Sequence, residues 1–148
     1  MAPLAFLLFA QLGQPAERIA RDFSKALAVK DEAWFERHVA KEFVYVSDKG
    51  EREDRAATLG HIHRWMHPLG YHVEPSLRLV ASRKVKEGLV LTSDLRVSQQ
   101  LFGFRRMPLT VTTAREESTW VPKGNEWVVT RIRVLKVQRT VDGKVVPE

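Results

Sequence analysis

The chain has 148 residues and no cysteine. One domain of this length can bury a core without disulfides, and the composition excludes thiol nucleophiles and cysteine metal sites. The formal net charge of +6 favours anionic partners. The lysines and arginines are scattered, without the concentrated stripe that a nucleic-acid surface needs, so we expect one domain over residues 15–148 and no nucleic-acid partner.

The first 14 residues contain an apolar run from Leu4 to Ala10. Because this run is too short to cross a bilayer, no membrane span is expected. It resembles the core of a secretory signal peptide, although no Lys or Arg precedes it. Two alternatives stay open: a signal peptide on a secreted or periplasmic protein, or an apolar extension of the first helix of a cytoplasmic one.

Three amphipathic helices are predicted in the first half of the chain. The first begins at Pro15, which suits a first helical turn. Asp31 is predicted to cap the second, which runs to Val39. The third spans residues 53–67 and ends before Pro68, since a proline disfavours helical geometry in the residue before it. Its predicted core stripe comprises Leu59, Ile62, Met66 and Leu69.

Strand patterns dominate the rest of the chain. Residues 43–47 alternate as a short strand, and Asp48-Lys49-Gly50 forms its turn. After Gly70, four long strand-like segments follow, separated by turn sequences. This order predicts an α+β domain with three helices on one face of a curved, mostly antiparallel sheet. The four segments are Tyr71–Ser82, Leu89–Leu101, Leu109–Val121 and Glu126–Gln138.

Two segments carry a resemblance to a known family. The run ALAVKDEAWFERHVAKEFVYVSDKGE and the C-terminal STWVPKGNEWVVTRIRVLKV resemble the nuclear transport factor 2-like superfamily, in particular its SnoaL-like and ketosteroid-isomerase-like bacterial members. The likeness covers about residues 15–140. It implies a cone-shaped half-barrel with a pocket at its wide end. Family members are isomerases, cyclases, dehydratases, epoxide hydrolases, ligand binders or dimerising domains, so the fold alone does not choose the function.

Ketosteroid-isomerase chemistry is not expected from the residues that the resemblance aligns. That chemistry needs a carboxylate base and a neutral phenol donor. The phenol position falls on Phe23 and the base position on Ser47, and neither side chain can perform the role. Asp48 is adjacent to Ser47, but aspartate is a preferred turn residue.

Aromatic and basic side chains are the candidates for the pocket wall. Tryptophan is usually a core residue, and each indole also brings one N–H group that needs an acceptor. Four aromatic residues fall where the family's pocket walls lie, and three arginines could bind an anionic ligand there. With Phe23, the candidates are Trp34, Tyr45, Trp65, Trp120, Arg96, Arg115 and Arg131.

The alternation of the long strands leaves the position of the arginines open. One face of the predicted sheet carries a ladder of charged side chains. In the predicted strand Leu89–Leu101, the positions on the opposite face are expected to point toward the helices; they are Leu89, Leu91, Leu95 and Val97. The ladder either lies on a solvated outer face, with cross-strand ion pairs, or lines the pocket. Its members are Asp94, Arg96, Arg115, Glu117, Arg131 and Arg133.

Four of the five histidines fall within residues 60–72. His63 and His67 are four residues apart on a helix and could share a ligand. No carboxylate is suitably spaced nearby to supply a third ligand, so a solvated helix end is expected and no metal site or cofactor is predicted. The leading prediction is a domain that binds a small, partly apolar molecule. One alternative is an interaction domain that forms a homodimer through the outer face of its sheet and has a filled cone. The other is an isomerase or hydrolase that acts on a small apolar or carboxylated substrate.

Overall fold

The computed structural model describes residues 3–103 and 105–147, with side chains described from residue 15 onward. Three helices occupy the first half: α1 (Pro3–Val29), α2 (Glu32–His38) and α3 (Arg55–Met66). The strands are β1 (Val39–Val46), β2 (Arg52–Asp54), β3 (Tyr71–Lys84), β4 (Leu89–Leu101), β5 (Leu109–Lys123), β6 (Glu126–Val141) and β7 (Lys144–Val145).

Aspartates begin both short helices. The Asp31 carboxylate accepts a hydrogen bond from the Trp34 amide at 3.1 Å, which confirms the predicted cap of α2. Asp54 caps α3 in the same way through the Ala57 amide at 2.9 Å. These side chains satisfy amide groups that have no partner within the first helical turn, so they fix where each helix starts.

The start of α1 and the core stripe of α3 differ most from the predictions. Helix α1 begins at Pro3 rather than Pro15, and the proline lies inside it, because the Leu- and Ala-rich segment before it has high helix propensity. Leu69 is 93% exposed instead of belonging to the core stripe of α3. The helix ends at Met66, and Pro68 prevents the further turn that would have directed Leu69 inward.

The seven strands form one mixed sheet. The order is β2-β1-β6-β5-β4-β3, with β7 paired to β6. The long strands β3 to β6 pair antiparallel in chain order, as predicted, whereas β1 lies parallel to β6. The bounds of β4 coincide with the prediction, and the short strands β2 and β7 were not predicted because two or three residues carry no readable alternation.

The helices pack on one face of the curved sheet, which confirms the predicted α+β class. We call this the inner face. The core between the helices and this face contains the most deeply buried large side chains. Trp120, Leu91 and Val129 come from the sheet, and Phe35 and Met66 come from α2 and α3. The chain passes so close at Gly88 that a Cβ atom there would lie 2.1 Å from the Trp120 carbonyl oxygen, which explains the glycine. No helix among the described residues is long and apolar enough to cross a membrane.

Candidate functional site in the cone

Three polar side chains face inward from the centre of the sheet. Ser93 on β4 lies directly opposite Glu116 on β5, and Ser118 follows two residues later on the same face. The Ser118 hydroxyl accepts a hydrogen bond from the Trp120 indole at 2.8 Å. The surrounding side chains are apolar, so this serine–glutamate group is a polar island on an otherwise hydrophobic face.

A small cavity separates this polar group from α1. Its volume is about 20 Å³, which is enough for about one water molecule. The cone is therefore filled largely by side chains at this level. The walls come from α1, β3, β4, β5 and β6, and they comprise Ile19, Ala20, Phe23, Leu77, Leu91, Ser93, Glu116, Ser118, Trp120 and Ile132.

Glu116 is the most perturbed carboxyl group of the site. Burial raises its pKa from 4.5 to about 7, because the protein has replaced most of the water that would stabilise the negative charge. Part of the side chain still opens onto the small cavity. At neutral pH both the protonated and the ionised forms are populated, which is the condition for giving or taking a proton without a large energetic cost.

A second cavity lies between α1, α2 and the β5–β6 hairpin. Its volume is about 120 Å³, close to the engineered cavity of about 150 Å³ that holds benzene in another protein. Ile19 and Trp120 line both cavities, so the two spaces lie on either side of this pair. The remaining wall residues are Arg18, Asp22, Trp34, His38, Asn125, Glu126 and Trp127.

His38 is held in a fixed orientation at this second cavity. Its ring stacks on Trp34 with centroids 4.2 Å apart, and its Nδ1 lies 2.7 Å from the Trp34 carbonyl oxygen. Since a carbonyl can only accept, Nδ1 carries the hydrogen. The neutral ring therefore has its lone pair on Nε2, which lies 4.0 Å from the Glu126 carboxylate.

Three of the eight predicted pocket residues come together around the cavities. Phe23 lines the small cavity, Trp34 the larger one and Trp120 both. Ring centroids are 5.8 Å apart for Phe23 and Trp34 and 6.0 Å for Phe23 and Trp120, with edge-to-face geometry. Whether these rings contact a ligand stays a prediction.

Tyr45 and Trp65 pack against the same core but line neither cavity. The pKa of Tyr45 is raised to about 12, first by burial and then by the negative charges of Glu116, Glu53 and Asp48. The phenol is therefore neutral at every physiological pH.

The three predicted arginines lie on the other side of the sheet, outside both cavities. Strand alternation places Arg96, Arg115 and Arg131 on what we call the outer face, where all three are exposed. Arg115 donates to Asp94 at 2.8 and 3.0 Å, and Arg78 donates to Asp94 at 2.9 Å. The structure therefore favours the solvated ladder over the arginine-lined pocket.

The two positions vacant for isomerase chemistry have structural roles. The Ser47 hydroxyl accepts hydrogen bonds from the Lys49 and Glu51 amides, so it stabilises the turn after β1. Asp48 is exposed in that turn. Phe23, on α1, packs edge-to-face against the Trp34 ring.

The prediction that no carboxylate lies near the histidines is wrong. His63 and His67 do have a carboxylate beside them, because Glu32 at the start of α2 lies against both rings. Sequence spacing could not reveal this contact, since Glu32 precedes His63 by 31 residues and reaches it only through the packing of α2 on α3.

Glu116 itself was absent from the predicted site. The alternation that placed Arg115 and Glu117 on one face places Glu116 on the other, so the signal was present in the pattern. A single carboxylate on the apolar parity of a long strand is the feature that would have identified the residue.

Solved structures with the same architecture are known. A conserved protein from Planctomyces limnophilus superimposes with a TM-score of 0.69 at 12% identity, covering 93% of this chain and 99% of that one. A hexachlorocyclohexane dehydrochlorinase LinA-type3 from Novosphingobium barchaimii gives 0.55 at 10% identity, covering 93% and 99%. ActVI-ORFA from Streptomyces coelicolor gives 0.51 at 12% identity, covering 80% and 88%.

These similarities confirm the fold that the sequence resemblance implied, the cone of nuclear transport factor 2-like proteins. No family model and no curated protein matches the sequence. At identities this low the shared property is the fold, and activity has to be argued from the side chains of this chain.

Proposed function

We propose that the protein binds a small, largely apolar molecule in the cone and exchanges a proton with it through Glu116. The observation that carries the proposal is a carboxyl group placed on the apolar inner face with its pKa raised to about 7 by burial. Burying an acid without a charged partner is costly, and such groups concentrate at functional sites.

The walls of the two cavities support the ligand class. Aromatic and aliphatic side chains dominate the small cavity, whereas the larger one combines Ile19 and three tryptophans with five polar side chains that could orient a ligand. The larger cavity would accept a single small ring, stacked near Trp34 and within reach of Nε2 of His38. One neighbour in fold is named for a small chlorinated hydrocarbon, which is consistent with an apolar ligand.

Contact with Glu116 requires a local rearrangement, because the cavity beside it has a volume of about 20 Å³. Ile19 and Trp120 line both cavities. A shift of the Ile19 side chain would join the two spaces and bring a ligand in the larger cavity toward the carboxyl group. An Ile19→Ala substitution mimics that opening, and we expect it to strengthen binding.

A thermal-shift screen tests the proposal. Small aromatic, alicyclic and halogenated molecules are added to the wild type, to Glu116→Gln and to the adjacent outer-face control Glu117→Gln. A ligand at about a hundred times its Kd adds about 2.7 kcal/mol to stability, which a melting curve resolves. We expect at least one compound to raise the melting temperature of the wild type. The size of that rise should change in Glu116→Gln and stay the same in Glu117→Gln. Failure of every compound class on both wild type and Ile19→Ala would contradict the proposal.

A homodimer is the second candidate, favoured by an apolar patch at one end of the sheet. Leu69 and Phe102 there are 93% and 70% exposed, and Tyr71, Leu101 and Leu109 lie beside them. Exposed apolar side chains that adjoin one another are typical of contact surfaces. The outer face, where the sequence placed the dimer contact, carries the charged ladder instead.

Light scattering coupled to size exclusion tests this candidate. The dimer predicts twice the mass of the 17.0 kDa chain. A Phe102→Ser variant should return the mass to that of a monomer, and an Arg96→Ser variant on the outer face should leave it unchanged. A monomeric wild type at high concentration would exclude the dimer.

A further inference from the structure

Three side chains with metal-binding chemistry meet where α2 packs on α3, outside the cone. Glu32 is the first residue of α2, His63 lies in the last turn of α3, and His67 follows the helix end. One ligand atom from each residue can be chosen so that all three lie within 4.8 Å of one another. Among the residues that the structure describes, no other group of this kind is found.

The carboxylate stands between the two rings. Nδ1 of His63 lies 2.7 Å from one Glu32 oxygen, and Nε2 of His67 contacts the other oxygen. The two ring centroids are 4.8 Å apart. The rings therefore converge on one point from the same side of α3, as the four-residue spacing allows.

The donor atoms of this group suit a cation. A metal ion would replace the two N–H hydrogens that now point at the carboxylate. Two imidazole nitrogens and one carboxylate oxygen are a donor set typical of zinc and neighbouring divalent transition metals.

The geometry needs only a small adjustment of mobile groups. Ligand atoms around a tetrahedral ion with bonds of about 2.0–2.1 Å stand roughly 3.4 Å apart. The His63, His67 and Glu32 side chains are 63%, 58% and 34% exposed, so their rotamers can change without disturbing the core. Three protein ligands would leave a fourth position open to water or to a small anion.

We propose that Glu32, His63 and His67 form a binding site for a divalent transition metal ion of the zinc class. The site does not depend on the ligand proposed for the cone. Because α2 also inserts Phe35 into the core, the ion would fasten this part of the cone wall to α3.

Calorimetric titration of the full, untagged chain with zinc chloride at neutral pH tests the site. We expect one ion per chain with micromolar or tighter affinity, and loss of at least about tenfold in affinity for each of His63→Ala, His67→Ala and Glu32→Gln. His61→Ala is the matched control. His61 lies on the same helix, but its Nδ1 faces the Glu53 carboxylate at 3.6 Å and not Glu32. Affinity should fall as the pH is lowered, because protons compete with the metal ion for the imidazole nitrogens.

Cobalt(II) provides an independent readout, since its visible spectrum reports the coordination geometry. A tetrahedral or five-coordinate spectrum with wild type and with His61→Ala, absent in His63→Ala, supports the site. Circular dichroism checks that each variant is folded. Absence of saturable zinc binding, or binding that all three ligand substitutions leave unchanged, would overturn the proposal and identify Glu32 as a partner in ion pairs only.

Discussion

Two carboxyl groups on neighbouring strands illustrate how different the two faces of this sheet are. Glu116 and Asp94 are one pairing position apart, since Ser93 pairs with Glu116 and Asp94 pairs with Arg115. Burial raises the pKa of Glu116 from 4.5 to about 7. The pKa of Asp94 falls from 3.8 to about 2, mainly because Arg115 donates to it, with Arg78 as a further donor.

The contrast shows that the face of the sheet on which a carboxyl group lies decides whether its protonated or its ionised form is favoured. An inward carboxyl loses water and gains no cation, so protonation is favoured. An outward carboxyl keeps some water and gains two guanidinium groups, so ionisation is favoured.

Removing the indole shared by the two cavities should produce the largest loss of stability. Trp120 is 2% exposed and donates to Ser118. Trp120→Ala should lower the free energy of unfolding by about 3–5 kcal/mol, as expected for a large core side chain. Urea denaturation measures the change. A loss below about 1 kcal/mol would show that the inner face is not the core of the fold.

Neutralising Glu116 should change the pH dependence of stability. The pKa of Glu116 in the folded state lies above the ordinary value of 4.5. Its contribution to stability is therefore fully present below pH 4.5, where the carboxyl group is protonated, and it is lost as the pH rises through about 7. The full effect is on the order of 3 kcal/mol. Glu116→Gln should therefore melt several degrees higher than wild type at about pH 8, and at nearly the same temperature at about pH 4.

Glu117→Gln is the matched control for that experiment. Glu117 is the next residue and faces outward, where its carboxylate lies 3.7 Å from the Arg83 guanidinium. Its melting temperature should follow that of wild type across the pH range, apart from a small offset. An identical pH profile for wild type and Glu116→Gln would contradict the buried position of the Glu116 carboxyl group.

The outer-face ion pair should give the smallest change. Arg115→Ala removes the principal donor to Asp94, so the pKa of Asp94 should rise from about 2 toward 3.8. The pair stabilises the fold above pH 3.8, and this contribution is lost as the pH falls through 2. At neutral pH the loss of stability should be smaller than that of Trp120→Ala, because water around the exposed Arg115 guanidinium screens its interaction with Asp94.

Side-chain NMR of Asp94 measures that shift. Arg131→Ala, another exposed outer-face arginine, serves as the control and should leave the Asp94 pKa unchanged. A cost at neutral pH as large as that of Trp120→Ala would mean that the outer face stabilises the fold as strongly as the inner one.

The sequence predicted the features that depend on periodicity. The β4 bounds, the Leu89 to Val97 parity and the end of α3 before Pro68 follow from local patterns. Residues 43–46 of the predicted strand lie within β1, and Ser47 follows its end. The parallel pairing of β1 with β6 connects segments about 90 positions apart and leaves no local trace. The short strands β2 and β7 depend on their partners in the same way.

The candidate sites were less accessible to the sequence. Phe23, Trp34 and Trp120 were identified as pocket-wall residues, and they do gather around the cavities. The arginines could not be placed until a strand register fixed their face. Glu32 meets His63 and His67 only after α2 packs on α3, and a contact across 31 residues has no periodic signature.

The pKa of the Glu116 side chain is the most direct test of the account. Selective isotope labelling of glutamate, assigned with the Glu116→Gln variant, allows its carboxyl carbon to be followed by NMR as the pH is changed. We expect a titration midpoint of about 7. A midpoint near the ordinary value of 4.5 would show that water reaches the carboxyl group freely, and it would contradict both the buried acid and the function proposed for it.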